Sequence, residues 1–147
     1  MTGTTADIAA DINVTISCLR AEQLPLANKF YRQYQRGMKA RSDQQVWVAR
    51  DPEIQACLCL RPVEQAWWLT SLLVHPALRG NGLASRLLQH VRQHCTGDIW
   101  LFCAPELAPL YSANGYRPDT AAPPALRDRL QRYQRSKSLI AMVNSAC

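Results

Sequence analysis

The chain has 147 residues with 48% hydrophobic content and a formal net charge of +6. That length fits one domain with a core of its own, and no apolar run approaches the roughly 18 residues of a membrane span. Six cysteines without a C-x-x-C pair exclude a dense disulfide framework and a four-thiolate zinc site, and point to reduced thiols.

Residues 1–12 lack periodicity and are expected to form a flexible tail, with one domain over 13–147. The opening stretch is polar with no basic n-region, so a cytoplasmic protein is expected. Alternation of Val14, Ile16 and Cys18 predicts a first strand over 13–19. Leu24, Ala27, Tyr31 and Tyr34 follow helical spacing behind Pro25, and Gly37 is expected to close that helix. Tyr31 and Tyr34 read as its core face. Strands over 46–49 and 54–60 flank the turn Arg50-Asp51-Pro52-Glu53. A turn over 62–65 leads to a strand over 66–74, on which Trp67 and Trp68 point to opposite faces, one into the core and the other toward the border of an acceptor pocket. These turns are too short for crossovers, so the strands are expected to run antiparallel.

After Gly82, the positions Leu83, Ala84, Leu87, Leu88, Val91 and Cys95 form one apolar helix face. Arg86, Gln89, His90, Arg92 and Gln93 form the other; His90 and His94 read as solvated, not as metal ligands. The helix is expected to end at Gly97. A strand over 99–103 follows and should pair in parallel with 66–74. Residues 105–113 predict a short helix capped by Asn114-Gly115, and 116–117 a strand start. A Pro- and Ala-rich loop precedes an amphipathic basic helix marked by Leu126, Leu130 and Tyr133, then a last strand over 138–143. The basic excess of this last quarter favours anionic partners.

The stretch Val74-His75-Pro76-Ala77-Leu78-Arg79-Gly80-Asn81-Gly82-Leu83-Ala84 has the layout of a phosphate cradle: strand, glycine turn, helix N-terminus. It lacks the lysine and spacing of a P-loop. It also fails the dinucleotide fingerprint, because Asp98 precedes the next strand where an acidic residue should end it, and five residues separate strand from first glycine. Arg79, Gly82 and Ala84 fill the fixed positions of Q/R-x-x-G-x-G/A, and Leu110-Tyr111-Ser112-Ala113-Asn114-Gly115-Tyr116 follows one strand later. In these two motifs, their order and the element order over 13–143, the chain resembles the GNAT N-acetyltransferase superfamily.

That resemblance implies an α/β (α+β) fold with a central mixed, mostly antiparallel sheet, a splayed parallel strand pair and flanking helices. It implies acetyl-CoA as cosubstrate and an amine-bearing acceptor, with no metal. Leu72, Leu73 and Val74 would line the pantetheine arm, and backbone N–H groups of Arg79, Gly80, Asn81, Gly82, Leu83 and Ala84 would hold the pyrophosphate. Tyr111 is the implied general acid, since a phenol is protonated at neutral pH. The glutamate often found on the strand before the loop is replaced here by Trp67, Trp68, Thr70 and Ser71, leaving Glu64, Glu106 and His75 as candidate bases. The frequent asparagine on the next strand is also missing, with Cys103 and Pro105 in its region. The basic helix would cover one side of the acceptor site. Two alternatives stay open: a non-catalytic acyl-CoA sensor, and an acetyltransferase acting on a nucleic-acid-linked amine such as aminoacyl-tRNA. A homodimer is a further partner option, nucleic acid a disfavoured one, and a membrane is not among the partners.

Overall fold

The computed structural model of the chain describes residues 13–145; the expected tail over 1–12 and the final two residues lie outside the described residues. Seven strands form one sheet in the order β1-β2-β3-β4-β5-β7-β6. They are β1 (Thr15–Cys18), β2 (Gln45–Arg50), β3 (Ile54–Val63), β4 (Ala66–Val74), β5 (Ile99–Cys103), β6 (Arg117–Pro118) and β7 (Ile140–Asn144). Four α-helices flank the sheet: α1 (Leu24–Tyr34), α2 (Leu83–His94), α3 (Ala108–Ser112) and α4 (Pro124–Gln134). Among the described residues only β4 and β5 pair in parallel, which follows from the α2 crossover between them. The expected mixed, mostly antiparallel sheet is therefore found.

Several expected boundaries move. α1 ends at Tyr34, where Gln35 turns extended, and Gly37 lies in the following turn at φ +95°. α2 likewise ends at His94, before Gly97. β3 runs on through Pro62 to Val63, so the hairpin to β4 is only Glu64 and Gln65, with Glu64 at φ +56°. Tight two-residue hairpins need positive φ, and a residue other than glycine or asparagine gives no sequence signal for it.

The two sheet faces carry separate layers. On one, α2 and α3 cover Leu58, Leu60, Leu69, Ile99, Leu101 and Met142 with Leu87, Leu88, Val91 and Tyr111. On the other, α1 covers β2 and β3 through Ala27, Phe30 and Tyr31 over Val46, Val48, Cys57 and Cys59. Beside it, α4 covers β4, β5 and β7 through Leu126 over Trp68, Trp100, Ala141 and Val143. Full burial of such large apolar side chains contributes about 1.5–3 kcal/mol each.

Three residues on the predicted polar face of α2 make contacts beyond solvent. Arg92 donates from Nη1 to the Asn144 carbonyl (2.9 Å) and from Nη2 to the Cys95 and Gly97 carbonyls (both 2.7 Å), tying the helix end to β7. His90 and His94 are not simply solvated: their rings stack at 4.2 Å, and each lies 5.7 Å from the Trp47 ring. Burial, and secondarily the His94 charge, lowers the His90 pKa.

Candidate active site

The β4–β5 ladder has three rungs, Trp67↔Ile99, Trp68↔Trp100 and Leu69↔Leu101. Beyond Leu69, β4 continues for five residues to Val74 with no β5 partner in this register, so the pair opens toward its carboxyl ends. A β-bulge marks the point of divergence. Cys59 pairs with Thr70 and Cys57 with Leu73, so Ser71 and Leu72 together oppose the single residue Leu58. Ser71 sits at φ +59°, a left-handed conformation that costs a non-glycine residue about 1–2 kcal/mol.

The bulge inverts the alternation of β4. Before it, Trp68 faces the α1/α4 layer; after it, Leu73 does, while Leu72 and Val74 turn to the α2/α3 layer. Backbone phase changes with it. The Trp67 N–H donates toward β5 at the Asp98 carbonyl (2.9 Å), whereas the His75 N–H donates toward β3 at the Gln55 carbonyl (2.7 Å). By alternation from His75, the backbone groups of Val74 and Leu72 face the opening between β4 and β5. The Tyr31 hydroxyl holds this geometry from α1, donating to the Ser71 carbonyl at 2.7 Å, with Cys59 Sγ at 3.6 Å. Tyr31 is fully buried, and burial pushes its phenol pKa up, Cys57 and Cys59 adding to the shift. Sequence periodicity identified Tyr31 as core but carried no sign of this bond.

From Val74 the chain passes through a 3₁₀ turn (Pro76–Leu78), which the His75 side chain caps by accepting the Ala77 N–H at Nδ1 (3.0 Å). Asn81 Nδ2 donates to the Leu78 carbonyl at 3.1 Å and braces the loop. Gly80 and Gly82 take φ +85° and +79°, and a Cβ at either would meet no heavy atom within 4 Å. Their glycine character is thus a matter of backbone angle and open approach, not of crowding by the protein. Gly82 is the N-cap of α2, whose first-turn N–H groups have no intrahelical acceptor. Exposed N–H groups, a helix N-terminus and the exposed Arg79 suit a phosphate-bearing ligand at this loop.

A cleft of about 500 Å³ joins these parts. Leu72, Leu73 and Val74 form one wall, Arg79, Gly80, Gly82, Leu83 and Ala84 its rim, and Leu107, Leu110 and Tyr111 the opposite side. The predicted site residues therefore converge on one cavity, except that Asn81 stands behind the rim as a brace. Tyr111 is 8% exposed; burial, and then the neighbouring Cys103 thiol, pushes its pKa up to about 12. Its ring meets Tyr116 edge-on at 5.9 Å.

An asparagine hub fixes α3 on α2. Asn114 Nδ2 donates to Ser85 Oγ (3.0 Å) and to the Leu110 carbonyl (2.9 Å), and its Oδ1 accepts from Gln89 Nε2 (3.1 Å). The next residue, Gly115, adopts φ +92°, and a Cβ there would stand 3.0 Å from Asn144 Nδ2. The predicted cap is present, with the Tyr116 N–H donating to the Tyr111 carbonyl at 3.0 Å.

None of the three candidate bases lines the cleft. Glu64 borders a separate cavity at the start of β4 and β5 with Gly97 and Asp98. His75 lies against the Tyr34 ring at 4.5 Å and lines a cavity beside α1 with Arg50 and Glu53. Glu106 is exposed in the turn after β5. Trp67 packs with the α2/α3 layer and donates from Nε1 to the Thr96 carbonyl (2.9 Å), while Trp68 is buried beneath α4. Among the described residues, no three His, Cys, Asp or Glu side chains come together to hold a metal, and no helix is long and apolar enough to cross a membrane.

The family model for the GNAT acetyltransferase domain matches residues 42–118. No curated protein sequence matches the chain. Similar solved structures include the N-acetylglutamate synthase of Neisseria gonorrhoeae, complexed with coenzyme A and N-acetyl-glutamate, at 14% identity and TM-score 0.70 over 93% of this chain, which spans 36% of the synthase. The ribosomal-protein-S18-alanine N-acetyltransferase of Escherichia coli has 17% identity and TM-score 0.66, covering 91% of this chain and 94% of that one. A GNAT-family acetyltransferase of Staphylococcus aureus has 14% identity and TM-score 0.65, covering 90% and 99%. At such identities these structures share the fold alone. With a family model spanning both the glycine loop and the Tyr111 helix, the chain belongs to the GNAT acetyltransferase family.

Proposed function

We propose that the protein is an acyl-CoA-dependent N-acyltransferase that moves acetyl from acetyl-CoA to a primary amine, with Tyr111 as general acid. The observation that carries this reading is the single cleft bounded by the anion-binding loop, the bulged β4 edge and a buried phenol. Acetyl-CoA supplies an activated thioester. Backbone N–H groups of the 79–84 loop would grip its pyrophosphate, each charge-assisted bond contributing about 1.5–3 kcal/mol. Leu72, Leu73 and Val74 would flank the arm, and the backbone groups of Leu72 and Val74 offer it hydrogen bonds. An N–H on this edge is suited to polarise the thioester carbonyl. With a pKa near 12 the Tyr111 phenol is protonated throughout the neutral range, and it donates that proton to the departing thiolate as the C–S bond breaks and the C–N bond forms. The proton lost by the amine goes to water, since Glu64, Glu106 and His75 all lie away from the cleft.

Two measurements test this. Saturating acetyl-CoA, at about 100 times its dissociation constant, should stabilise the fold by ~2.7 kcal/mol and raise the melting temperature by several degrees. An unchanged melting temperature with acetyl-CoA and with CoA would remove the cofactor assignment. With an amine acceptor, Tyr111→Phe should lower turnover by about 10²–10⁴-fold while acetyl-CoA affinity stays within about twofold; undiminished turnover would remove the acid role.

A further inference from the structure

On the acyl-transfer reading, the cofactor cleft lies toward the α2/α3 face of the sheet, which leaves the opposite face, flanked by α1 and α4, for the second substrate. The two segments that cover that face are strongly basic, while Glu53 borders α1 and Glu64 and Asp98 border the start of α4. Residues 24–44 and 124–139 each carry five Lys or Arg, ten in all, against Asp43 and Asp128 only. This net of +8 exceeds the +6 of the whole chain, so the remaining residues are net acidic. Asp43, moreover, is engaged by Arg61 at 3.1 Å.

One of these cations is fixed beside the last paired rungs of β4 and β5. The Arg129 guanidinium lies over the Trp68 ring, 4.8 Å from its centroid, and donates from Nη1 to the Tyr133 hydroxyl at 3.5 Å. It is half-buried and makes no ion pair among the described residues. Trp68 contacts Phe102 (5.4 Å), and Phe102 contacts Tyr133 (6.2 Å). Phe102 is the first β5 residue past the last paired rung, so this aromatic row leads from Arg129 to the point where the strands part. Trp68 Nε1, buried beside the guanidinium, has no acceptor among the described residues. A guanidinium held by a π-face and one neutral hydroxyl keeps donors for a bidentate carboxylate.

We infer that the acceptor amine is the N-terminus of an acidic peptide, that Arg129 binds one of its carboxylates, and that the α1 and α4 cations attract the rest. This rests on the acyl-transfer reading for the face of approach. A cationic or neutral amine gains nothing from the basic excess of these two segments, whereas an acidic segment is drawn in by a field that salt screens over about 10 Å at 0.1 M. Peptide is favoured over nucleic acid because the aromatic row is buried beneath α4, and Tyr133 alone of its rings is exposed for a base to stack on.

The test uses the full chain loaded with CoA and three fluorescent peptides of one sequence, carrying Asp/Glu, Asn/Gln or Lys after a fixed first residue. Anisotropy should show the acidic peptide binding at least about tenfold tighter than its amide counterpart, with affinity falling as salt rises. Arg129→Gln should remove most of that preference while leaving the acetyl-CoA thermal shift intact; Arg20→Gln, outside both basic segments, should as a control change it little. With unlabelled peptides and acetyl-CoA, thiol release should follow the same order. Equal binding of acidic and amide peptides, tighter binding of the Lys peptide, or a single-stranded RNA displacing the acidic peptide at equal charge would overturn the inference. A missing acetyl-CoA shift would instead fail the transferase reading, and the anisotropy ranking would then decide only whether the Arg129 face binds an acidic peptide.

Discussion

Two buried tyrosines shape the candidate site. Tyr111 faces the cleft, where loss of hydration keeps its proton in place. Tyr31 is remote from the cleft lining, yet its hydroxyl fixes the Ser71 carbonyl that lets β4 change phase. Tyr31→Phe leaves that carbonyl without its donor at nearly constant volume, so unfolding free energy should fall by about 1–3 kcal/mol. A structural loss alone would leave the cofactor untouched. If the bond also positions Leu72, acetyl-CoA affinity should fall about tenfold, and amide exchange at Leu72 and Val74 should accelerate more than at Val48. Uniform acceleration across the sheet would reduce Tyr31 to a packing residue.

The elements differ in how openly the sequence declares them. The 79–84 loop was legible because its chemistry is local: two glycines, an arginine and the start of an apolar helix stand within one short run. The Tyr111 helix was legible for the same reason, through its Asn-Gly cap. The bulge was not, since Ser71 is neither glycine nor asparagine and its conformation rests on a bond from a residue 40 positions earlier. Strict alternation would place Leu72 with Trp68 and Thr70, on the wrong face. The contacts of Arg92 and of the His90–His94 pair were equally hidden, although His94 is exposed and His90 half-buried as a solvated pair implies, because helical spacing assigns a face but not the carbonyls or rings that face will meet. For the loop, a matched pair of variants separates conformation from binding. Gly82→Ala and Gly37→Ala both place a side chain at positive φ in open space, so each should cost about 1–2 kcal/mol and a few degrees of melting temperature. Only Gly82→Ala should weaken CoA binding; an equal effect of Gly37→Ala would detach the loop angle from the ligand.

Across the whole molecule, the buried phenols and thiols share one direction of shift. The Cys59 thiol is pushed up to about 11 and Tyr111 to about 12, and Cys57, Tyr31 and Tyr116 are raised further, in each case chiefly by burial. A pKa raised by folding means that the fold holds protons the unfolded chain releases. The stability tied to these groups is therefore intact below their unfolded values, about 8.5 for thiols and 10 for phenols, and is lost as pH rises through the folded ones. Urea midpoints should be level to about pH 8.5, then decline, and steepen above pH 10; a flat profile to pH 11 would contradict the burial seen here.

The hub at Asn114 has a consequence for the choice of cofactor. By locking Ser85 and Gln89 of α2 to the helix that carries Tyr111, it makes the 79–84 loop and the phenol two jaws of one calliper. A calliper set by the protein measures its ligand. On the proposed reading the span from diphosphate to sulfur would have to match the jaw opening, and a donor with a shorter or longer arm but the same acyl group should be turned over more slowly.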